Sequence, residues 1–233
     1  MALINATAIP NADDYELEQS LKFNDDDSAY LSWTPSSAGN RRTWTFSCWL
    51  KRGNLTRSNI FVQQVNNANI MSLELIDGDA IQFKEWTGNY DLNFVTTPLY
   101  RDPSAWYHIV VAVDTTQGTD TNRVKLYVNG EQVTSFSTAT YPSQNYDGLI
   151  NTAAIHAIGT RFDGNGGTTV YKPLDGYLAE VHFIDGTALT PTSFGETGDY
   201  GEWKPIEVEG LTYGNNGFYL PFKQDYTVEG FST

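Results

Sequence analysis

An antiparallel two-sheet β-sandwich is the fold this sequence predicts, on three observations. The first is the nearly continuous β-branched run from Trp106 to Asp114, the pattern of a strand covered on both faces. In the second, Val124, Leu126 and Val128 alternate with Lys125 and Tyr127 before Asn129-Gly130. That predicts a strand with one wet face, a type I′ turn, and a return over 131–136. The third is the scarcity of helical period across 233 residues, set against many short strand-like stretches with turn residues between them.

Taken in order, residues 1–19 mix small, Asn, Asp and Glu residues without a steady period and read as an extended N-terminal arm. The sandwich is expected over 20–223, with 224–233 a C-terminal tail that either closes a short chain or leads into a further segment. Its first strand begins at Leu21-Lys22-Phe23, is interrupted by Asn24-Asp25-Asp26-Asp27 and resumes at Ala29-Tyr30-Leu31. Strands follow near 43–52, 58–65, 69–76, 80–85, 92–96, 106–114, 123–129, 131–136, 154–160, 176–184 and 217–222. Asp77-Gly78, Asn129-Gly130, Asp185-Gly186 and the loop Asp163-Gly164-Asn165-Gly166-Gly167 separate them. Trp44, Phe46, Cys48 and Leu50 share one strand face, which makes the lone Cys48 a buried, inert thiol. A single helical turn is expected at Leu189–Phe194, with Thr190 as its cap and Pro191 in its first turn.

Composition narrows the function classes. Hydrophobic residues at 40% and aromatics at 14% are enough for a core, which excludes a disordered chain. A net charge of −14 opposes nucleic-acid binding and docking on a bare anionic membrane. Met1–Pro10 has neither the basic start nor the apolar run of a signal peptide. No stretch approaches the ~18 apolar residues that would span a bilayer. The chain is therefore expected to fold in a cytoplasm.

Four blocks carry a family resemblance. They are Ser20–Phe23 with Ala29–Leu31; Trp44-Thr45-Phe46-Ser47-Cys48-Trp49-Leu50-Lys51-Arg52; the stretch from Trp106 to Gly130; and Asp175–Gly186, which contains Gly176-Tyr177-Leu178-Ala179-Glu180. Together they resemble laminin-G-like, or concanavalin A-like lectin/glucanase, domains of jelly-roll architecture. The wording of Ser28–Ser32, Arg101–Gln117, Asn122–Gly130, Gly176–Gly186 and Asn216–Leu220 is similar to a subgroup of marine bacteriophage structural proteins of the tail-fibre or capsid-surface kind. The resemblance implies a virion protein folded in the host cytoplasm and homo-oligomeric on the particle. Its arm would meet other virion proteins, and its sandwich a host-surface glycan. A second reading keeps the virion and drops the glycan: a decoration or cement protein whose partners are all proteins.

Catalysis is not expected. The glucanase branch uses paired carboxylates in an E-x-D-x-x-E strand pattern, and glycoside hydrolysis needs two such groups ~5–9 Å apart. Glu180 stands without a second carboxylate among Ala179, Val181, His182 and Phe183. No G-x-S-x-G accompanies His108, His156 or His182, and the glycine-rich loop is not followed by Lys-Ser/Thr. For Ca²⁺, Asp25, Asp26 and Asp27 beside Asn24, and Asp163 with Asn165, supply hard oxygen donors, with Asp79 and Asp147 in other turns. The alternative is a set of ordinary solvated turns. For a glycan, two groups offer rings and polar partners: Trp86, Asn89 and Tyr90, and Arg161, Asp163, Asn165 and Tyr171. Each ring has a plainer reading as loop packing.

Overall fold

The computed structural model describes residues 15–163 and 169–223. Most of the predicted arm, Asn165 and the 224–233 tail therefore lie outside the described residues. In chain order the strands are β1 (Leu21–Phe23), β2 (Leu31–Trp33), β3 (Thr43–Arg52), β4 (Ser58–Asn66), β5 (Asn69–Leu75) and β6 (Ile81–Trp86). Next come β7 (Tyr90–Thr96), β8 (Trp106–Asp114), β9 (Val124–Val128), β10 (Glu131–Gln132), β11 (Phe136–Thr140) and β12 (Ile155–Ile158). Last are β13 (Arg161–Asp163), β14 (Thr169–Tyr171), β15 (Gly176–Asp185), β16 (Gly195–Thr197), β17 (Trp203–Pro205) and β18 (Phe218–Leu220). The front sheet runs β1-β15-β3-β8-β9-β10, with β18 also paired to β15; the back sheet runs β11-β7-β6-β5-β4-β12-β2. β13–β14 and β16–β17 are separate hairpins.

Period-2 alternation decides what fills the space between the sheets. From the front come Trp44, Phe46, Cys48, Leu50, Ile109, Val111, Val113 and Phe183; from the back, Phe61, Met71, Leu73, Phe83 and Phe94. Phe46 stacks on Phe61 at 4.3 Å between ring centroids, and Trp44 meets Phe83 edge-on at 6.0 Å. Each large side chain so buried contributes roughly 1.5–3 kcal/mol.

The continuous apolar run of β8 has its second face covered as well. Val110 and Ala112, with Tyr127 and Ile184, form an outer core under Phe194, Leu189, Val208, Leu211 and Tyr213. A C-terminal strap thus lies on the front sheet. It also removes the wet face predicted for β9, where Tyr127 is buried beneath it.

Two other expectations change. Ala29–Leu31 does not resume the first strand. A turn at Asp25–Ser28, with Ser28 at φ 54°, sends the chain across, so β1 lies in the front sheet and β2 in the back. Asn129 (φ 49°) and Gly130 (φ 82°) do make the tight turn, but its returning strand stops at Gln132. Val133 turns into the core, and Phe136 opens β11 in the opposite sheet. The turn at Pro191–Ser193 is present, but the Thr190 hydroxyl does not cap its backbone and pairs with the Thr192 hydroxyl at 2.8 Å.

One inner-face residue breaks the pattern. Gln63 is fully buried beside its cross-strand partner Met71, and neither amide atom has a hydrogen-bond partner. Leaving such groups unpaired costs about 1–3 kcal/mol. Gln63→Met, close in volume, is expected to raise the urea midpoint with an unchanged m-value. A lowered midpoint would show that the amide is satisfied in solution.

Candidate functional site

The outward positions of the central back-sheet strands are polar yet buried: Gln64, Ser72, Glu74, Gln82, Lys84 and Asn93. Part of the cover is the β13–β14 hairpin, folded back against β4. Its hold is a side-chain imitation of strand pairing. Gln64 Nε2 donates to the Phe162 carbonyl at 2.6 Å, and the Phe162 amide donates to Gln64 Oε1 at 3.0 Å. At the other leg, Asn59 Nδ2 donates to the Tyr171 and Lys172 carbonyls at 3.2 and 3.0 Å.

These bonds fix Arg161, whose guanidinium lies 4.4 Å from the centre of the Tyr171 ring. Facing it are two turns at one end of the meander. The β6–β7 turn presents Trp86 and Tyr90, whose rings meet at 4.8 Å between centroids. The β4–β5 turn presents Asn67. Ile70 sits opposite Trp86 in register, and Lys84 precedes Trp86 by two residues on the same face. Together Asn67, Ile70, Lys84, Trp86, Tyr90 and Arg161 enclose a cavity of about 200 Å³. Lys84 Nζ forms an ion pair with Glu74, whose other oxygen receives Arg57 Nη2 at 3.0 Å.

Members of both groups of glycan candidates in the sequence thus meet around one cavity. Trp86, Tyr90 and Arg161 line it, Tyr171 backs Arg161, and Asp163 accepts from Asn67 Nδ2 at 3.1 Å. Asn89 lies outside the lining, where its carbonyl takes the Thr87 amide at 3.0 Å. Asn67, Ile70 and Lys84 escape sequence reasoning. Lys84 alone left a trace, its i, i+2 spacing to Trp86 on an alternating strand.

The proposed Ca²⁺ donors do not gather. Asp25 accepts from Asn54 Nδ2 at 3.0 Å and Asp27 from Asn24 Nδ2 at 2.6 Å, each through one carboxylate oxygen. Among the described residues no group of three or more acidic, histidine or cysteine side chains is placed to share a metal ion. Of the other turn aspartates, Asp79 pairs with buried Arg52 at 2.9 Å and Asp147 with Arg42 at 2.8 Å. A larger cavity, about 260 Å³, opens beside the front sheet near Asp114, Lys125 and Tyr127. There Asp114 is occupied by Thr116 and Gln117, and the Tyr127 ring belongs to the outer core.

The remaining polar residues brace the fold. β15 bulges between Ala179 and His182, and Glu180 takes φ 46° there. The extra residue turns both Glu180 and His182 away from the core. Burial would raise the Glu180 carboxyl, but the nearby His182 ring, 3.8 Å away, and the hydrogen bond from the Tyr219 hydroxyl hold it below the usual carboxylate range. The Tyr15 hydroxyl joins this group, tying the described end of the arm to the front sheet.

His108 lies between Trp203 Nε1 and Ser47 Oγ, both at 2.9 Å. Indole nitrogen can only donate, so His108 Nδ1 accepts and Nε2–H donates to Ser47. Ser47 Oγ thus accepts a hydrogen bond from the imidazole, the reverse of the arrangement that activates a nucleophile. Burial pushes His108 down to about 3 and His156 to about 4, and it lowers His182. Near pH 6.5 the unfolded chain therefore takes up protons that the folded chain refuses. The stability held by these rings is complete above that pH and declines as pH falls, by up to about 1.4 kcal/mol per unit for each ring. Glu85, raised by burial, acts in the opposite sense. Melting temperature is expected to drop between pH 7 and pH 4.5. A level or rising profile would mean that the rings charge in place.

A lectin-like sandwich, with a ring-walled pocket on one sheet's outer face, is the class of protein these features define. The chain belongs to the concanavalin A-like lectin/glucanases superfamily, whose sequence profile matches residues 25–193. Solved structures agree on the fold. Mouse laminin α1 domains LG4–5 are 13% identical with a TM-score of 0.50, over 80% of this chain and 44% of that one. NanB in complex with Optactamide, the sialidase of Streptococcus pneumoniae, is 14% identical with a TM-score of 0.51, over 77% and 28%. This chain therefore spans less than half of either. A heptameric SAP-like pentraxin from Limulus polyphemus is 17% identical at a TM-score of 0.49, over 69% and 71%. No curated protein matches the chain.

Proposed function

We propose that this chain is a non-enzymatic glycan-binding sandwich displayed on a bacteriophage particle, where it engages host-surface polysaccharide. The observation that carries the binding half is the meeting of Trp86, Tyr90 and Arg161 around one cavity. Rings give a sugar face a flat apolar partner, and a guanidinium and an amide hold its polar edge. At about 200 Å³ the cavity is smaller than the ~300–1,000 Å³ clefts that engulf a drug-sized ligand. It suits one terminal or branching unit. The particle half rests on the stretches 28–32, 101–117, 122–130, 176–186 and 216–220, whose wording resembles phage structural proteins. Glu180, held by Tyr219 and His182, serves as a brace in this reading and not as an acid or base.

The test is binding of purified bacterial surface polysaccharides, followed by tryptophan fluorescence or calorimetry. Trp86→Ala should weaken binding at least tenfold while leaving the melting temperature within a few degrees. Unchanged binding by that variant would move the site elsewhere. Failure to bind, with the protein present in particles, would favour the cement reading. Release of reducing ends from the polysaccharide would overturn the non-enzymatic assignment.

A further inference from the structure

We propose that the unit taken at this pocket is an acidic sugar, a hexuronate, whose carboxylate is received by Arg161. The inference rests on the glycan-binding reading and adds the ligand's chemical class.

Arg161 is the starting observation. Its Nε is buried without a hydrogen-bond partner, and among the described residues its guanidinium enters no ion pair. The residue as a whole is only part-buried and lines the cavity, so the terminal N–H groups of its fork are open to an acceptor that a ligand supplies in place of water. The group is also held in place beforehand. Its ring partner Tyr171 lies against one face, and Gln64 clamps the next residue along the backbone. Little ordering is left for the ligand to impose. A planar fork of N–H donors matches the two oxygens of a carboxylate better than any single hydroxyl.

The surrounding charge points the same way. The whole chain carries −14, which would repel an acidic polymer. On this face the balance reverses. Glu74 alone is shared by Arg57 and Lys84, and Lys172 lies 5.6 Å from the centre of the Tyr171 ring. Arg57, Lys84, Arg161 and Lys172 thus stand against Glu74, Asp163 and, in the β6–β7 turn, Asp91, which takes the Thr87 hydroxyl. Screening within about 8 Å at physiological salt lets such a local excess act despite the distant acidic surface. The apolar side is complete without charge: Trp86 and Tyr90 for a ring face, Ile70 for its floor. Lys84, already neutralised by Glu74, steers; Arg161 makes the direct bond.

The experiment uses the full chain and pairs of oligosaccharides differing only at the acid: oligoglucuronate, oligogalacturonate and oligomannuronate, each beside its carboxyl-reduced neutral counterpart. At least one acidic member should bind tenfold or more tightly than its neutral partner, with affinity falling between 50 and 500 mM NaCl. Arg161→Gln should erase that difference, bringing the acidic member's affinity down to that of its neutral counterpart on the same variant, with the melting temperature kept. Arg161→Lys, which keeps the charge and loses the fork, should restore a part of it. Equal binding of both members, preference for a sulfated neutral sugar, or an acid preference that survives Arg161→Gln would overturn the assignment and leave glycan binding standing. No binding to any acidic or neutral sugar by the folded protein would overturn both.

Discussion

Replacing Gly130 by valine should lower stability by about 2–5 kcal/mol, from two separable causes. Gly130 has φ 82°, where a β-branched residue is strained by ~1–2 kcal/mol. A Cβ built there would also lie 2.4 Å from Trp203 Cε3. Overpacking of that kind costs ~1–3 kcal/mol. Trp203 cannot move freely, because its Nε1 is bonded to His108 and its ring stacks on that imidazole at 5.9 Å. The turn is therefore a seat for the strap, and Gly130→Val should loosen both. Gly130→Asn, which tolerates the backbone angle, isolates the collision with Trp203. Urea unfolding followed by tryptophan fluorescence reads both variants. A Gly130→Val midpoint matching the wild type would disprove the contact.

Glu74→Ala should cost about 3–5 kcal/mol, the range for breaking a buried ion pair from one side. Glu74 is 1% exposed and serves both Lys84 and Arg57. Without it the Lys84 ammonium, on a side chain only 10% exposed, stays in the pocket wall with its charge uncompensated. Glu74→Gln, which keeps a hydrogen-bond acceptor for Arg57, should lose less. A loss under about 1 kcal/mol for the alanine variant would mean that water already reaches Lys84, since exposed pairs contribute little.

The value of reading patterns differed along the chain. The β8 run was legible because a strand apolar on both faces has few alternatives, and the structure supplies a core on each side. The strap that makes the second core was not, since Phe194, Val208, Leu211 and Tyr213 follow no period. Hence β9 looked wet. Turn chemistry located Asn129-Gly130 correctly but could not say that Val133 would send the chain to the other sheet. Trp86, Tyr90 and Arg161 were legible as residue types suited to sugars. Their meeting was not, because it depends on the β13–β14 hairpin folding over β4 through Gln64 and Asn59, two amides that resemble any others in the sequence.

The pairing of β15 sets the order of events during synthesis. Leu21 pairs with Leu178, Phe46 with Phe183, and Leu220 with Val181, so the front sheet closes chain segments from both ends on one late strand. Such non-local pairing belongs to sandwiches that fold in milliseconds to seconds. A ribosome adding ~5–20 residues per second releases β3 well before its partner exists. In the interval β3 presents an unpaired edge able to join another chain. Truncation ahead of Phe218 would leave part of β15 open in the finished protein as well. Aggregation during expression, more than loss of activity, is the expected phenotype of chains cut short between Asp185 and Phe218.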